Sequence, residues 1–187
     1  MDFVIRRGRA DEIDRLAPLW RALRDHHATL PAMPPVRSHE DSWEHRRGQY
    51  LDWLSEDGYT LLVAERNGQL IGYAMVSVDE GAATWDVGER AAEIETLSVL
   101  ESERGRGVGR ALTEAAAEVA TEAGASAVAV GVAHTNADAI RFYEREGFEP
   151  FYVLMLSERP RSTRSTVRSG SDGRSRPAAA PGSGVEP

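Results

Sequence analysis

The apolar residues of this chain switch repeatedly between two spacings, and the switches mark its elements. Phe3, Val4 and Ile5 form a short extended run. From Asp11 onward, Ile13, Leu16, Leu19/Trp20 and Leu23 recur every three or four residues, which lines one face of a helix. Pro31, Pro34 and Pro35 break the chain, and Ser38 to Leu54 then reads as a second helix carrying Trp43, Tyr50, Trp53 and Leu54. Tyr59 to Glu65 and Leu70 to Val78 are strands joined at Asn67-Gly68, a pair suited to the positive φ angles of a tight hairpin. Residues 79–92 are acidic, contain Gly and Ala, and read as a connection without a period of their own.

The pattern sharpens from Glu93. Ile94, Thr96, Leu97 and Val99 predict a strand that ends near Leu100. After a polar loop, Val108, Leu112, Ala115, Val119 and Ala123 stay in register along a helix over 108–123, with Gly124 as its C-terminal cap. Ala127 to Val132 alternates Val with Ala or Gly, as expected of a central strand with one crowded face. Asn136 to Glu146 is predicted to be a helix closed by Gly147, and Phe151 to Leu156 a last strand. Strands and helices interleave after an N-terminal hairpin, so the expected class is α/β with a mixed sheet.

A length of 187 residues suits one domain, and 41% hydrophobic residues are enough for a core. Residues 159–187 hold 14 Pro, Gly or Ser and no aromatic, Leu or Ile. Such a composition cannot offset the entropy of ordering, so the chain divides into a domain over 1–158 and a disordered basic tail over 159–187. Six arginines against Asp172 and Glu186 give the tail a net +4, which leaves −12 on the remainder. A body this acidic is a poor nucleic-acid binder and mildly favours cationic small molecules. No apolar run reaches the roughly 20 residues that span a bilayer. The opening MDFVIRRGRADEIDRL has no signal-peptide stretch, so a cytoplasmic protein without membrane partners is expected. There is no cysteine, and all 22 basic residues are arginine. Thiolate nucleophiles, Cys-based metal sites and Schiff-base lysines are thereby excluded.

One loop concentrates the chemistry. Arg104-Gly105-Arg106-Gly107-Val108-Gly109-Arg110 joins a strand directly to a helix. Alternate glycines let the backbone turn with its N–H groups inward, and the helix adds its unpaired N-terminal amides. The three arginines supply positive charge in an acidic domain. A diphosphate suits such a cup. Neither common nucleotide loop is present: a Walker loop needs lysine, and a Gly-x-Gly-x-x-Gly/Ala reading puts Arg110 or Leu112 in its last slot.

The spacing Arg104-x-x-Gly107-x-Gly109, preceded by Leu97-Ser98-Val99, resembles the acyl-CoA loop of the GNAT (Gcn5-related N-acetyltransferase) superfamily. About 30 residues further on, Asn136-x-x-Ala139-x-x-Phe142-Tyr143-Glu144-x-x-Gly147-Phe148 resembles that family's second cofactor motif. The resemblance covers roughly Glu93 to Leu156. It implies the GNAT acyl-CoA N-acyltransferase fold, a mixed and mostly antiparallel sheet flanked by helices. It also implies acetyl-CoA as co-substrate, held by the backbone of Leu97, Ser98 and Val99 and by amides from Arg104 to Arg110, including Gly105, Arg106, Gly107, Val108 and Gly109. Asn136 and Tyr143 would face the same ligand, with Tyr143 as the acid for the departing thiolate. Asn136 could equally cap its helix. Glu95 is the first candidate for the base, Glu93 the second, and His134 a weaker one. His26 and His27 could line the acceptor entrance, although solvation of a helix end accounts for them as well. His39 and His45 do not make a His-Glu-x-x-His motif, and no metal is predicted.

The function implied is transfer of an acetyl group to a primary amine by direct attack, with a small-molecule acceptor. Acetylation of protein N-termini or lysines is the enzymatic alternative, and a non-catalytic acyl-CoA-binding or sensing module the other. Monomer and homodimer both remain open.

Overall fold

The structure is a computed structural model, and it describes residues 2–156. The expected disordered tail, 159–187, lies outside the described residues. Five strands form one sheet in the order β1 (Val4–Arg7), β2 (Tyr59–Arg66), β3 (Gln69–Glu80), β4 (Arg90–Val99), β5 (Ala127–Val130). The first three pairings are antiparallel and the β4–β5 pairing is parallel. The mixed, mostly antiparallel sheet expected from the resemblance is therefore the one observed.

Helices cover both faces of this sheet. On one face, Val108, Leu112, Ala116, Val119 and Ala120 of α3 (Val108–Glu122) pack on Leu62, Ala74, Val76, Ala92 and Ile94. On the other, Leu19 of α1 (Ala17–Thr29) and Tyr50 of α2 (His39–Ser55) pack on Leu61, Val63, Tyr73 and Met75. Double coverage explains why β3 is buried without a break from Leu70 to Val78. A strand solvated on one side would show burial at every second residue only.

The N-terminal helical pattern divides in two. Ala10–Leu16 is a 3-10 helix, and the α-helix proper begins at Ala17 with Pro18 in its first turn, where a missing N–H costs nothing. Ser38 caps α2 by accepting from the Asp41 amide at 3.1 Å. Beneath the 3-10 turn, the buried Glu12 carboxylate accepts from Arg6 at 2.7 and 2.9 Å and from Arg15 at 2.7 Å. The hydrogen bonds from Arg6, with the Arg6 charge and the Arg9 backbone N–H, hold Glu12 down at about 2. A carboxylate depressed from an ordinary value near 4.5 stabilises the fold fully above that value and loses its contribution as pH falls toward 2. Melting temperature is thus expected to drop across that window. Glu12→Gln should flatten the drop while costing roughly 2 kcal/mol at neutral pH. A thermal-melting series in pH checks both, and an unchanged acid slope would remove Glu12 from the account.

Three sequence expectations are corrected. The connection over 79–92 is shorter, because β3 runs to Glu80 and β4 starts at Arg90. The strand predicted over 127–132 stops at Val130 and lies at the sheet margin rather than at its centre. Phe151 to Leu156 forms no strand, since no edge among the described residues pairs with it.

Candidate active site

Strands β4 and β5 part company midway. Their ladder runs from Ala91↔Ala127 to Ile94↔Val130 and no further. Beyond it, Thr96 to Val99 pairs with β3 alone. The N–H and C=O groups of this stretch that face away from β3 have no ladder partner among the described residues. A gap therefore opens between the end of β4 and the chain following β5, with main-chain hydrogen-bonding groups along one wall. Leu97 and Val99 turn their side chains into the α3 core. Ser98 is buried, and its Oγ donates to the Leu19 carbonyl at 2.9 Å. The side chain of Ser98 is thus structural, and only its backbone borders the gap.

The glycine loop stands at the top of this gap. Gly105 and Gly107 have φ of +73° and +84°, in the left-handed region. A Cβ at either would meet nothing within 4 Å, so conformation, not crowding within the fold, requires glycine there. Gly107 is the N-cap of α3 and has no side chain to cap with, so the first-turn amides stay open. Gly109 serves differently: its Cβ would lie 3.3 Å from Phe142 of α4 (Ala137–Arg145), so it lets the two helices close. Arg104, Arg106 and Arg110 are all exposed around the loop. Glu114 holds Arg110 at 2.8 Å, whereas Arg106 only approaches Glu103 at 4.0 Å. Loop and dipole together can hold a diphosphate.

Helix α4 brings Asn136 and Tyr143 alongside. Asn136 is buried and its Oδ1 accepts from the Ala139 amide at 3.2 Å, so capping is established and its NH₂ group is left over. Tyr143 is clamped edge-on between Phe142 and Phe148, at ring distances of 4.9 and 5.3 Å. Burial pushes its phenol up to about 12. Thr135 Oγ is buried with no hydrogen-bond partner, which adds a polar atom beside Asn136 that the sequence motif did not single out.

The opposite side of β4 carries the carboxylates. A bulge sets Met75 opposite Thr96 but Val76 opposite Ile94, so Glu95 is the extra residue. Ser77 Oγ donates to Glu95 at 2.9 Å, and the Tyr50 hydroxyl donates to Thr96 Oγ1 at 2.8 Å. Both contacts lie on the α1/α2 face. An unbulged strand would have sent adjacent side chains to opposite faces. Glu93 is held above the usual carboxylate range, first by burial and then by the charges of Glu95 and Asp79. Tyr59 is also raised, by burial and by Asp79 and Glu95.

Aromatic groups flank these acids. Trp53 stacks on Tyr59 at 5.0 Å, and the Arg46 guanidinium lies 4.6 Å over Trp20. Arg46, Trp53 and Tyr59 were not singled out in the sequence, where they read as ordinary helix and strand residues. His27 is half-buried near Arg46 and lowered, chiefly by burial. His39 Nε2 binds Asp25 at 2.6 Å, away from the carboxylates, while His134 and His45 are exposed.

Comparison with known proteins shows the family to which the chain belongs. The acetyltransferase (GNAT) family matches residues 20–148. A streptothricin acetyltransferase of Streptomyces lavendulae is 36% identical over 120 residues, covering 64% of this chain and 60% of that protein. A mycothiol acetyltransferase of Amycolatopsis mediterranei is 34% identical over 96 residues, 51% of this chain and 31% of its own. The chain thus spans from about a third to three fifths of the length of these two relatives. Among solved structures, an aminoglycoside N-acetyltransferase AAC(6')-Iy in complex with CoA superposes with a TM-score of 0.64 at 21% identity, covering 85% of this chain and 95% of that one. With the family matched across more than two thirds of its residues, including the glycine loop and Tyr143, this chain belongs to the GNAT family of acetyltransferases.

Proposed function

We propose that this protein transfers an acetyl group from acetyl-CoA to an amine of a small molecule. The observation that carries the reading is the parting of β4 and β5 beneath a left-handed glycine loop, with Tyr143 on the adjoining helix. These residues fit acyl-CoA: open amides from Val108 to Arg110 for the diphosphate, and the unpaired edge of Glu95 to Val99 for the pantetheine amides. When bound, the thioester supplies an activated acetyl carbon, which the free amine attacks without a covalent enzyme intermediate. The chain's own groups orient, donate and accept. A backbone N–H near Val99 donates to the developing oxyanion, and Tyr143 donates toward the departing sulfur.

The acceptor approaches from the α1/α2 face, where the charges of Glu95 and Asp79 lie close enough to Glu93 to help burial raise it. This acidity favours a cationic amine, and the relatives named for streptothricin and mycothiol, with the aminoglycoside-acetylating neighbour, favour a small one. Glu95, fixed by Ser77, takes the amine proton directly or through water. Replacing it by Gln should lower kcat/KM about tenfold, with Glu93 standing in. The same change removes the nearest charge that raises Glu93, so the acid limb of the pH–rate profile should move to lower pH. An unshifted limb at full activity would assign the proton to another group. Release of free thiol from acetyl-CoA, screened over aminoglycosides, streptothricin, polyamines and short peptides, tests the reading as a whole. Turnover with small amines supports it; turnover confined to peptides, or none with any amine, would overturn it.

A further inference from the structure

One half-buried charge on the α1/α2 face has no counterpart among the described residues. Ser42, Arg46, Tyr50 and Trp53 follow one another every three or four residues, so they share one face of α2. That face is the inner one, since Ser42 and Tyr50 are buried. Arg46 stands between them. The half-buried arginines among the described residues are Arg6, Arg24, Arg46, Arg47 and Arg66. Arg6 pairs with Glu12, Arg24 with Asp25, Arg47 with Asp14 and Arg66 with Glu103. Arg46 alone of this group pairs with no carboxylate among those residues. What holds it is aromatic: its guanidinium lies 4.6 Å over Trp20, 5.5 Å over Tyr50 and 5.8 Å over Trp53. Trp20 is itself fixed, its Nε1 donating to Ser42 Oγ at 2.9 Å. A guanidinium stacked by its face keeps its in-plane N–H donors free for an oxyanion. The same floor of rings leads to the acids. Trp53 stacks on Tyr59 at 5.0 Å, Tyr59 pairs across the ladder with Ser77, and Ser77 Oγ donates to Glu95 at 2.9 Å. The Tyr50 phenol senses both ends: burial raises it, the charge of Arg46 opposes the rise and that of Glu95 adds to it. A positive and a negative pole thus flank the half-buried rings of Trp20, Trp53 and Tyr59.

We propose that the acceptor is an amine that also carries a carboxylate, with Arg46 binding the carboxylate while the amine lies against Glu95 and Glu93. This rests on the reading of the chain as a small-amine acetyltransferase, and it makes Arg46 the residue that sets acceptor specificity. A forked guanidinium–carboxylate pair backed by Trp20 discriminates by both charge and shape. Carboxylate is favoured over phosphate, because one guanidinium balances one negative charge and the nearby acids would repel a second. The rings between the poles give an apolar floor to the carbon chain that separates the two groups of the acceptor. Such a molecule has no net charge, so the −12 of residues 1–158 neither attracts nor repels it as a whole. The transfer itself is unchanged: the nitrogen bonds to the acetyl carbon and the C–S bond breaks. Of the three ammonium protons, one stays on nitrogen, one ends on the sulfur of CoA and one goes to solvent.

The test is thiol release from acetyl-CoA by the full chain with the common α-amino acids and the straight-chain ω-amino acids from 3-aminopropanoate to 6-aminohexanoate. Each acid is compared with its own carboxamide, which has the same shape without the charge, at equal concentration of free amine. The best acid is expected to have a KM at least about tenfold below that of its carboxamide. Carboxamides used equally well, or turnover confined to diamines and aminoglycosides, would overturn the inference and leave the acetyl-transfer reading standing. No thiol release with any amine would take both down. Arg46→Gln should shrink the advantage of the acid to about twofold or less, through KM and not kcat. A role in packing alone would move acid and carboxamide together, and an advantage that survived the change would remove Arg46 from recognition. Should the Gln variant fail to fold, Arg46→Lys takes its place, since it keeps the charge and loses the planar fork. It should retain only part of the advantage, and the whole of it would refute forked binding.

Discussion

Gly107→Glu is expected to weaken acetyl-CoA binding by at least about 100-fold, with the protein still folded. Two independent effects add. Gly107 sits at φ +84°, and an L-residue held there costs about 1–2 kcal/mol. The new carboxylate then lies at the N-cap of α3, where open amides and the helix dipole are arranged for an anion, and where it would compete with and repel a diphosphate. Steric conflict within the fold contributes nothing, because the added Cβ has free space around it. Gly107→Ala separates the two effects, since it keeps the conformational cost and omits the charge. It should lose about tenfold or less. Isothermal titration with acetyl-CoA reads both affinities, and thermal melting shows that the chain remains folded. If the Glu variant bound within threefold of the native chain, the glycine loop would not be the diphosphate site, and the acyl-CoA reading of the gap beneath it would fall as well.

The loop was legible in the sequence for a physical reason. Its glycines are demanded by backbone dihedral angles, which act at the residue itself and do not depend on what packs nearby. The same holds for the Asn136 cap, which needs only the three residues that follow it. The carboxylate face was less legible. Glu95 was a candidate through its place on the strand before the loop, but the bulge that sends Glu95 and Thr96 to one face is set by the register against Met75 and Val76, more than 15 residues away. Nothing near Glu95 announces it. Arg46, Trp53 and Tyr59 escaped for a similar reason, because a helix and a strand distant in topology bring them together. The segment over 151–156 is the opposite case. Its sequence states strand without ambiguity, yet among the described residues no strand pairs with it. Local pattern specifies what a segment is suited to, and a tertiary or quaternary contact decides whether it becomes that.

Tyr143→Phe should lower kcat about 30- to 100-fold while affinity for acetyl-CoA stays the same. The ring itself is structural, held between Phe142 and Phe148, and phenylalanine preserves those contacts, so melting temperature should scarcely move. What disappears is one O–H group. With the phenol raised to about 12 by burial, against about 8.5 for an ordinary thiol, full proton transfer to a thiolate would run uphill by roughly 5 kcal/mol. On the proposed mechanism Tyr143 would therefore serve by donating a hydrogen bond to the sulfur as charge builds there. On that mechanism the proton that finally reaches the sulfur would come from the newly formed ammonium or from water. A donor that never ionises leaves no limb in the pH profile. The deficit of the Phe variant should accordingly be constant from about pH 6 to 9. A deficit that grew or shrank across that span would mean that Tyr143 gives up its proton outright, and undiminished turnover would place the hydroxyl outside the reaction.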